Sequence, residues 1–303
     1  MDVVQTPNKK VQSLSTMKIL IIVDEYGWAF SFFARGWKAY SRHQIEYLRV
    51  DEIGSSIFEK YDVFFTMNSR QYDNCLVKPP LDRTVCGLRS PFREWEEARP
   101  HDFVAVVTNS KELHEEVLAE HNLDKDKILY IRGAIDGKIF TYDSALGVKV
   151  GWSGNKTHAK RYHLLKRIWY PVEEKSDWSK EFFVRGRSRD DQVEFLRSLR
   201  CYVHPSMNEA MSQSIMEAVA CGVPVVATNV GDTRYLVDEE WLVPPYPEAE
   251  CVRQMNEKIM TLMTDLDLAL FVGKRNRERF DNDGWCWSKR AKEYDDLFDR
   301  LFG

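Results

Sequence analysis

The stretch Tyr202–Pro245, YVHPSMNEAMSQSIMEAVACGVPVVATNVGDTRYLVDEEWLVPP, decides how the rest of the chain is read. Cys201–His204 has the pattern of a buried strand that runs into a turn at Pro205-Ser206, with Glu209 in the loop beyond. Ser212–Cys221 has the pattern of a helix, stopped by Gly222-Val223-Pro224 before a second apolar strand at Pro224–Thr228. Strand, helix and strand in this order form a unit of parallel sheet. The helix N-terminus near Ser212–Ser214 offers unpaired backbone N–H groups and the positive end of a dipole, a natural seat for a phosphate. Glu217 lies inside that helix between Met216 and Ala218, and a carboxylate among apolar residues needs a partner. Two adjacent sugar hydroxyls, such as those of a ribose, would satisfy both oxygens, and so would an arginine from a neighbouring element.

The same alternation extends in both directions. Strands are expected at Lys18–Val23, Ile45–Val50, Val63–Thr66, Phe103–Val107 and Ile128–Ile131, with helices at Ala29–Ser41 and Ser110–His121, the latter N-capped by Ser110. The series restarts with a strand at Val148–Trp152, a helix near Lys160–Trp169, a strand at Phe182–Val184 and a helix at Asp190–Leu199. Trp287–Phe302 is an amphipathic helix with Ala291, Tyr294, Leu297, Phe298 and Leu301 on one face. Near-continuous apolar strands separated by helices give an α/β reading of two doubly wound, Rossmann-like domains. The expected division is a mobile tail at 1–16, a first domain at 17–145, a second at 146–286, and the last helix at 287–303. Ligands are then expected at the carboxyl ends of the strands, in the cleft between the domains.

The 303 residues carry 43 Lys+Arg against 47 Asp+Glu, a net charge of −4 that excludes nucleic-acid binding through bulk positive charge. With 44% hydrophobic residues there is material for two ordinary cores, so disorder and a small disulfide scaffold are excluded too. The six cysteines show no CxxC pair and read as small buried hydrophobes in a reducing compartment. Ile19–Val23 is too short for a membrane span or a signal-peptide core, and the expected location is cytoplasmic. The basic and aromatic segment Lys160–Trp169 could rest peripherally on an anionic membrane, although such a helix is more often amphipathic with Leu164, Leu165 and Ile168 inward.

Taken as a pattern, PS–x2–E–x7–E–A–x–A–C–G–x–P–V–V–A–T–x–x–G from Pro205 to Gly231 resembles the donor-site signature of family-four retaining glycosyltransferases, which have the GT-B fold. Met17–Asp24 followed by Gly27-Trp28 is similar to the family's first strand and donor-facing glycine loop. Gly133-Ala134-Ile135-Asp136…Phe140 resembles its N-G-V-D-x3-F segment, and Val150–Asn155 the strand opening its second domain. The last helix resembles the one that crosses back to the first domain. The resemblance implies metal-independent transfer of a sugar from a nucleoside diphosphate, with UDP or GDP expected, to an acceptor hydroxyl with retention. The nucleotide sugar is then a co-substrate, and no cofactor is required.

By the same resemblance, Glu217 would bind the ribose, and Glu209 would contact the donor sugar or stabilise charge at its anomeric carbon. Lys160, with Lys156 and Arg161 as competitors, would neutralise the departing diphosphate. Gly27, Trp28, Asn155, Arg187 and Met211, Ser212, Gln213 and Ser214 would line the donor site. A cationic clamp beside a helix N-terminus would stabilise the leaving group's growing charge. The chain departs from the family at Glu209-Ala210-Met211-Ser212, where Glu-Gly-Phe-Gly is usual. Arg132 replaces the Asn of N-G-V-D, and Val85–Ser90 lacks the His many members place near the donor sugar.

Asp265-Leu266-Asp267 and Asp281-Asn282-Asp283 spell the D-x-D of metal-dependent enzymes but fall in or after helices, and read as surface acids. His158 and His163 lack metal-ligand partners at useful spacing. The rival readings are a non-catalytic GT-B-like binding module, a Rossmann dehydrogenase, disfavoured because no GxGxxG follows the first strand, and a glycosyltransferase of modified DNA bases. The acceptor class, whether glycan, lipid-linked or small molecule, is not encoded in these motifs.

Overall fold

The structure is a computed structural model that describes residues 16–89, 102–119, 124–173, 179–184 and 188–303. In the first half, β1 (Lys18–Val23), β2 (Gln44–Arg49), β3 (Val63–Thr66), β4 (Thr84–Leu88), β5 (Ala105–Thr108) and β6 (Ile128–Tyr130) form a parallel sheet in the order β2-β1-β3-β4-β5-β6. Among its helices are α1 (Ala29–Tyr40), α2 (Ser69–Asn74) and α3 (Lys111–Ala119). In the second half, β7 (Lys149–Gly154), β8 (Ser179–Val184), β9 (Leu199–His204), β10 (Val225–Thr228) and β11 (Leu242–Val243) form a second parallel sheet in the order β11-β10-β9-β7-β8. Its helices include α4 (Leu165–Glu173), α5 (Arg189–Arg197), α6 (Gln213–Ala220), α7 (Glu248–Thr264) and α8 (Leu266–Asp283), and α9 (Trp287–Phe302) closes the chain. Both sheets reverse their strand order beside their first strand, which opens a crevice at the carboxyl end of each.

The sequence expectations and the structure differ in ways that have local causes. The strand β4 escapes a hydrophobic reading because Gly87 interrupts it. A Cβ at that position would lie 2.7 Å from the Met67 carbonyl oxygen, so the backbone approach itself requires glycine. The helix expected from Lys160 begins later, with a 3-10 turn at Tyr162–Leu164 ahead of α4. Arg161 is the reason: it sits in the left-handed region at φ 49°, which an α-helix cannot pass through. Leu164, Leu165 and Ile168 are buried as expected. Ser110 caps α3, its Oγ accepting from the Leu113 N–H at 3.2 Å.

The last helix belongs to the first core. Trp287, Ala291, Tyr294, Leu297 and Phe298 are buried with Trp37, Phe65 and Val107, and Leu301 packs at the margin. The Asp295 carboxylate, buried in the same contact, accepts from Trp37 Nε1 at 2.8 Å, Ser41 Oγ at 2.6 Å and the Arg42 N–H at 2.8 Å. Those bonds make the burial of a charge tolerable. Gly36 of α1 is the tightest point, since a Cβ there would fall 2.0 Å from the Trp287 indole nitrogen. Replacing Gly36 by Ala is expected to destabilise the protein by about 1–3 kcal/mol through overpacking, read as a lower midpoint in urea. An unchanged midpoint would show that α9 is not held against α1 in this way.

Candidate active site

The two crevices meet in one cavity of ≈ 300 Å³, which is the lower end of the range for small-molecule sites, about 300–1,000 Å³. From the first half, the loop after β1 contributes Gly27 and Trp28, and α1 contributes Ala29 and Phe32. The end of β7 contributes Ser153, Gly154 and Asn155, and the loop beyond it Lys160. The segment after β9 and the start of α6 contribute Glu209, Met211, Ser212, Gln213, Ser214 and Glu217, while α5 contributes Arg189 and Gln192.

Three basic residues compete in sequence for the same role, and their surroundings separate them. Arg161 is buried and turned away, donating to the Pro245 carbonyl at 2.7 Å and stacking over Tyr246. Lys156 lies 4.9 Å from the centre of the Tyr162 ring. Lys160 reaches into the cavity and ion-pairs with Glu209. Its loop is tied to the segment after β9 by the Met207 N–H, which donates to the Ala159 carbonyl at 2.8 Å.

Glu209 is fixed from several sides. His204, at the end of β9, places Nε2 2.9 Å from Glu209 Oε1, the oxygen that also accepts from Lys160. Burial alone would raise the Glu209 carboxyl, but the Lys160 ammonium and the His204 hydrogen bond outweigh it and hold the group well below the usual carboxylate range. Burial lowers the His204 pKa, the Glu209 contact acting against it, so at neutral pH the ring is uncharged and donates from Nε2 to the carboxylate.

The Glu209 backbone is held as firmly. The Asp232 N–H donates to the Ala210 carbonyl at 3.0 Å. Gly231, at φ 54°, passes so close that a Cβ would lie 2.3 Å from the Glu209 carbonyl oxygen. Asp232 in turn reaches across the cleft to the N-terminus of α3. Its carboxylate accepts from Ser110 Oγ at 2.9 Å, the Lys111 N–H at 2.8 Å and the Glu112 N–H at 3.2 Å. The loop bearing Glu209 is therefore anchored to the first domain through one side chain at a helix N-terminus, where a negative charge is favoured.

Glu217 is 2% exposed and has a partner on each oxygen. Arg189 Nη1 donates to Oε1 at 2.6 Å, and Gln192 Nε2 donates to Oε2. Burial pushes the Glu217 carboxyl up, with Arg189 and Gln192 pulling against it. Beneath it, Tyr202 bridges β9 to β7 through Ser153, its hydroxyl 3.0 Å from Ser153 Oγ and donating to the Ser153 carbonyl at 3.1 Å. Burial raises that phenol to about 12.

Of the residues singled out from sequence, Gly27, Trp28, Asn155, Lys160, Glu209, Met211, Ser212, Gln213, Ser214 and Glu217 line this one cavity. Arg187 lies outside the described residues, as do residues 1–15 of the expected tail. Sequence reasoning missed Arg189, Gln192, Phe32 and His204. A signal for Arg189 was present: it opens α5, at the positive end of a helix whose Ser188 cap and Asp190-Asp191 are otherwise suited to that end. The D-x-D acids are placed elsewhere. Asp265 caps α8 by accepting from the Leu268 N–H at 2.9 Å, and Asp281 pairs with Arg277 within the same helix. Among the described residues no helix is long and apolar enough to cross a membrane.

Two parallel α/β sheets facing one cleft, with a final helix crossing back to the first, constitute the GT-B fold. Residues 153–265, in the second half, match the family model of the glycosyl transferases group 1. The chain is 31% identical over 67 residues to protein CapJ of Staphylococcus aureus, covering 22% of this chain and 17% of that protein. It is 28% identical over 115 residues to an uncharacterised glycosyltransferase, MJ1178, of Methanocaldococcus jannaschii, covering 37% of this chain and 32% of that one. The chain thus spans a third or less of the length of these curated relatives. Among solved structures, the Anabaena protein Alr3699/HepE in complex with UDP and glucose superposes with a TM-score of 0.69 at 13% identity, over 93% of this chain and 99% of that one.

Proposed function

We propose that the protein is a retaining, metal-independent glycosyltransferase that moves a sugar from a nucleoside diphosphate to an acceptor hydroxyl. The observation that carries this reading is the cavity. Two carboxylates, a lysine and a helix N-terminus from the second domain converge there on the glycine loop of the first. The Anabaena neighbour's complex with UDP and glucose supports the ligand class, with UDP or GDP as the expected nucleotide. Glu217 would accept from the two ribose hydroxyls. The N–H groups at the start of α6 and the Lys160 ammonium would face the diphosphate, supplying charge stabilisation from the protein itself.

In the reaction the anomeric C–O bond to the diphosphate breaks and a new bond forms from the acceptor oxygen to the same face of that carbon. The acceptor's proton passes to the departing phosphate. Glu209, fixed ionised at the sugar end, would stabilise the positive charge that develops between these events. Closure around the donor would exclude water and limit its hydrolysis. The acceptor would approach from the first-domain side of the cleft, and a peripheral membrane contact would fall on Lys160–Trp169 of the second domain. Titration calorimetry with UDP, GDP, ADP and NAD tests the reading. One nucleoside diphosphate is expected to bind, and Glu217→Ala to weaken it. Absence of binding by all four, or a donor affinity indifferent to Glu217, would overturn it.

A further inference from the structure

The two oxygens of Glu217 that a ribose would need are both taken, one by Arg189 and one by Gln192. The Arg189 guanidinium does more than pair. Its central carbon lies 4.1 Å from the centre of the Phe32 ring in α1 and 4.4 Å from that of Phe140, which is buried in the second core. One side chain from the donor domain thus fills the mouth of the ribose position and touches the first domain across the cleft. Its side chain is 16% exposed, so little of the charge is shared with water. A guanidinium cannot shed its proton, and therefore cannot leave Glu217 without meeting another anion or solvent.

We propose that Arg189 is an internal occupant of the donor pocket, and that it makes the site selective for nucleoside diphosphates over nucleosides; this rests on the reading of Glu217 as the ribose ligand. A nucleoside arriving alone offers hydroxyls to Glu217 but nothing to the displaced arginine. A nucleoside diphosphate brings its own anion, on which the guanidinium can settle as the ribose takes its place. Recognition of the diphosphate is then coupled to opening the ribose position, beyond any contact Lys160 makes. The stack on Phe32 adds a second condition, because releasing Arg189 also releases a contact between the domains. The neutral form of the same argument applies to Gln192, whose amide can follow the ribose without a charge to place.

The test compares binding of UDP and uridine, and of GDP and guanosine, to the full chain and to Arg189→Met and Phe32→Ala, by calorimetry. If the arginine occupies the pocket in nine molecules of ten, removing it raises nucleoside affinity roughly tenfold, while the diphosphate gains less. The diphosphate-to-nucleoside preference is therefore expected to narrow in Arg189→Met. Phe32→Ala, which leaves every charge in place, is expected to move it in the same direction by a smaller factor. Unchanged or weaker binding of both ligands by Arg189→Met would overturn the proposal and leave the donor reading intact. Nucleoside binding by Arg189→Met but not by the unaltered chain, with the diphosphate bound by both, would uphold it. Binding by neither would overturn both readings. Should Arg189→Met fail to fold, the same comparison on Phe32→Ala decides.

Discussion

Glu209→Gln is expected to lower the rate of sugar transfer by about 10²–10³ while leaving affinity for the nucleoside diphosphate within a few-fold of the unaltered value. The substitution keeps the shape of the side chain and leaves His204 Nε2 an oxygen to meet, so the loop anchored by Asp232 has no reason to move. What is lost is a negative charge fixed 2.9 Å from a neutral imidazole and paired with Lys160. Steady-state kinetics with the donor that binds would read the effect in kcat. An equal loss in donor affinity would instead make Glu209 a binding group. The same variant carries a pH signature. Because the folded pKa of Glu209 is depressed, its stabilising contribution is present above the unfolded value of about 4.3 and disappears as pH falls through the lower folded one. Unfolding midpoints of Glu209→Gln measured below pH 4 should therefore fall less steeply with acid than those of the unaltered chain.

Glu217→Ala combines two consequences, and each has its own measurement. Loss of two hydrogen bonds to a charged acceptor, about 1.5–3 kcal/mol each, should weaken nucleoside diphosphate binding by a hundredfold or more. The variant should also be less stable, because Arg189 would keep a mostly buried charge without its carboxylate. Breaking a buried pair costs about 3–5 kcal/mol, and the arginine's place at the rim of a cavity puts this case at or below the lower end. Pairing the change with Arg189→Met removes the stranded charge, so the double variant is expected to be more stable than Glu217→Ala alone in chemical denaturation. Additive losses would show that the two groups do not act as a pair.

The parts of this molecule that were legible in the sequence are those where period and punctuation agree. Lys18–Val23, Val63–Thr66 and Trp287–Phe302 lie where the apolar pattern puts them, because each buries a continuous face. The spacing of Glu209 and Glu217 placed both at one cavity because a helix start and a strand end fix their separation. Other features depend on contacts between distant segments. Gly87 hides a strand since its demand comes from Met67, and the left-handed Arg161 delays a helix because its side chain is drawn to Pro245. The partners of Glu217 were legible as types, ribose or arginine, but not as Arg189, whose role depends on Phe32 more than 150 residues away in sequence. His204 reads as strand core until Glu209 is seen beside it.

The crossing of α9 bears on how the protein is made. Trp37 and Phe65 emerge from the ribosome long before Trp287, Tyr294 and Phe298, the residues that cover them. Synthesis at roughly 5–20 residues per second leaves that aromatic face uncovered for about ten seconds or longer, a period in which nascent chains are prone to aggregate. The first half to be translated is thus the last to be finished. Moving the α9 segment ahead of β1 by circular permutation would shorten the period in which that face is uncovered.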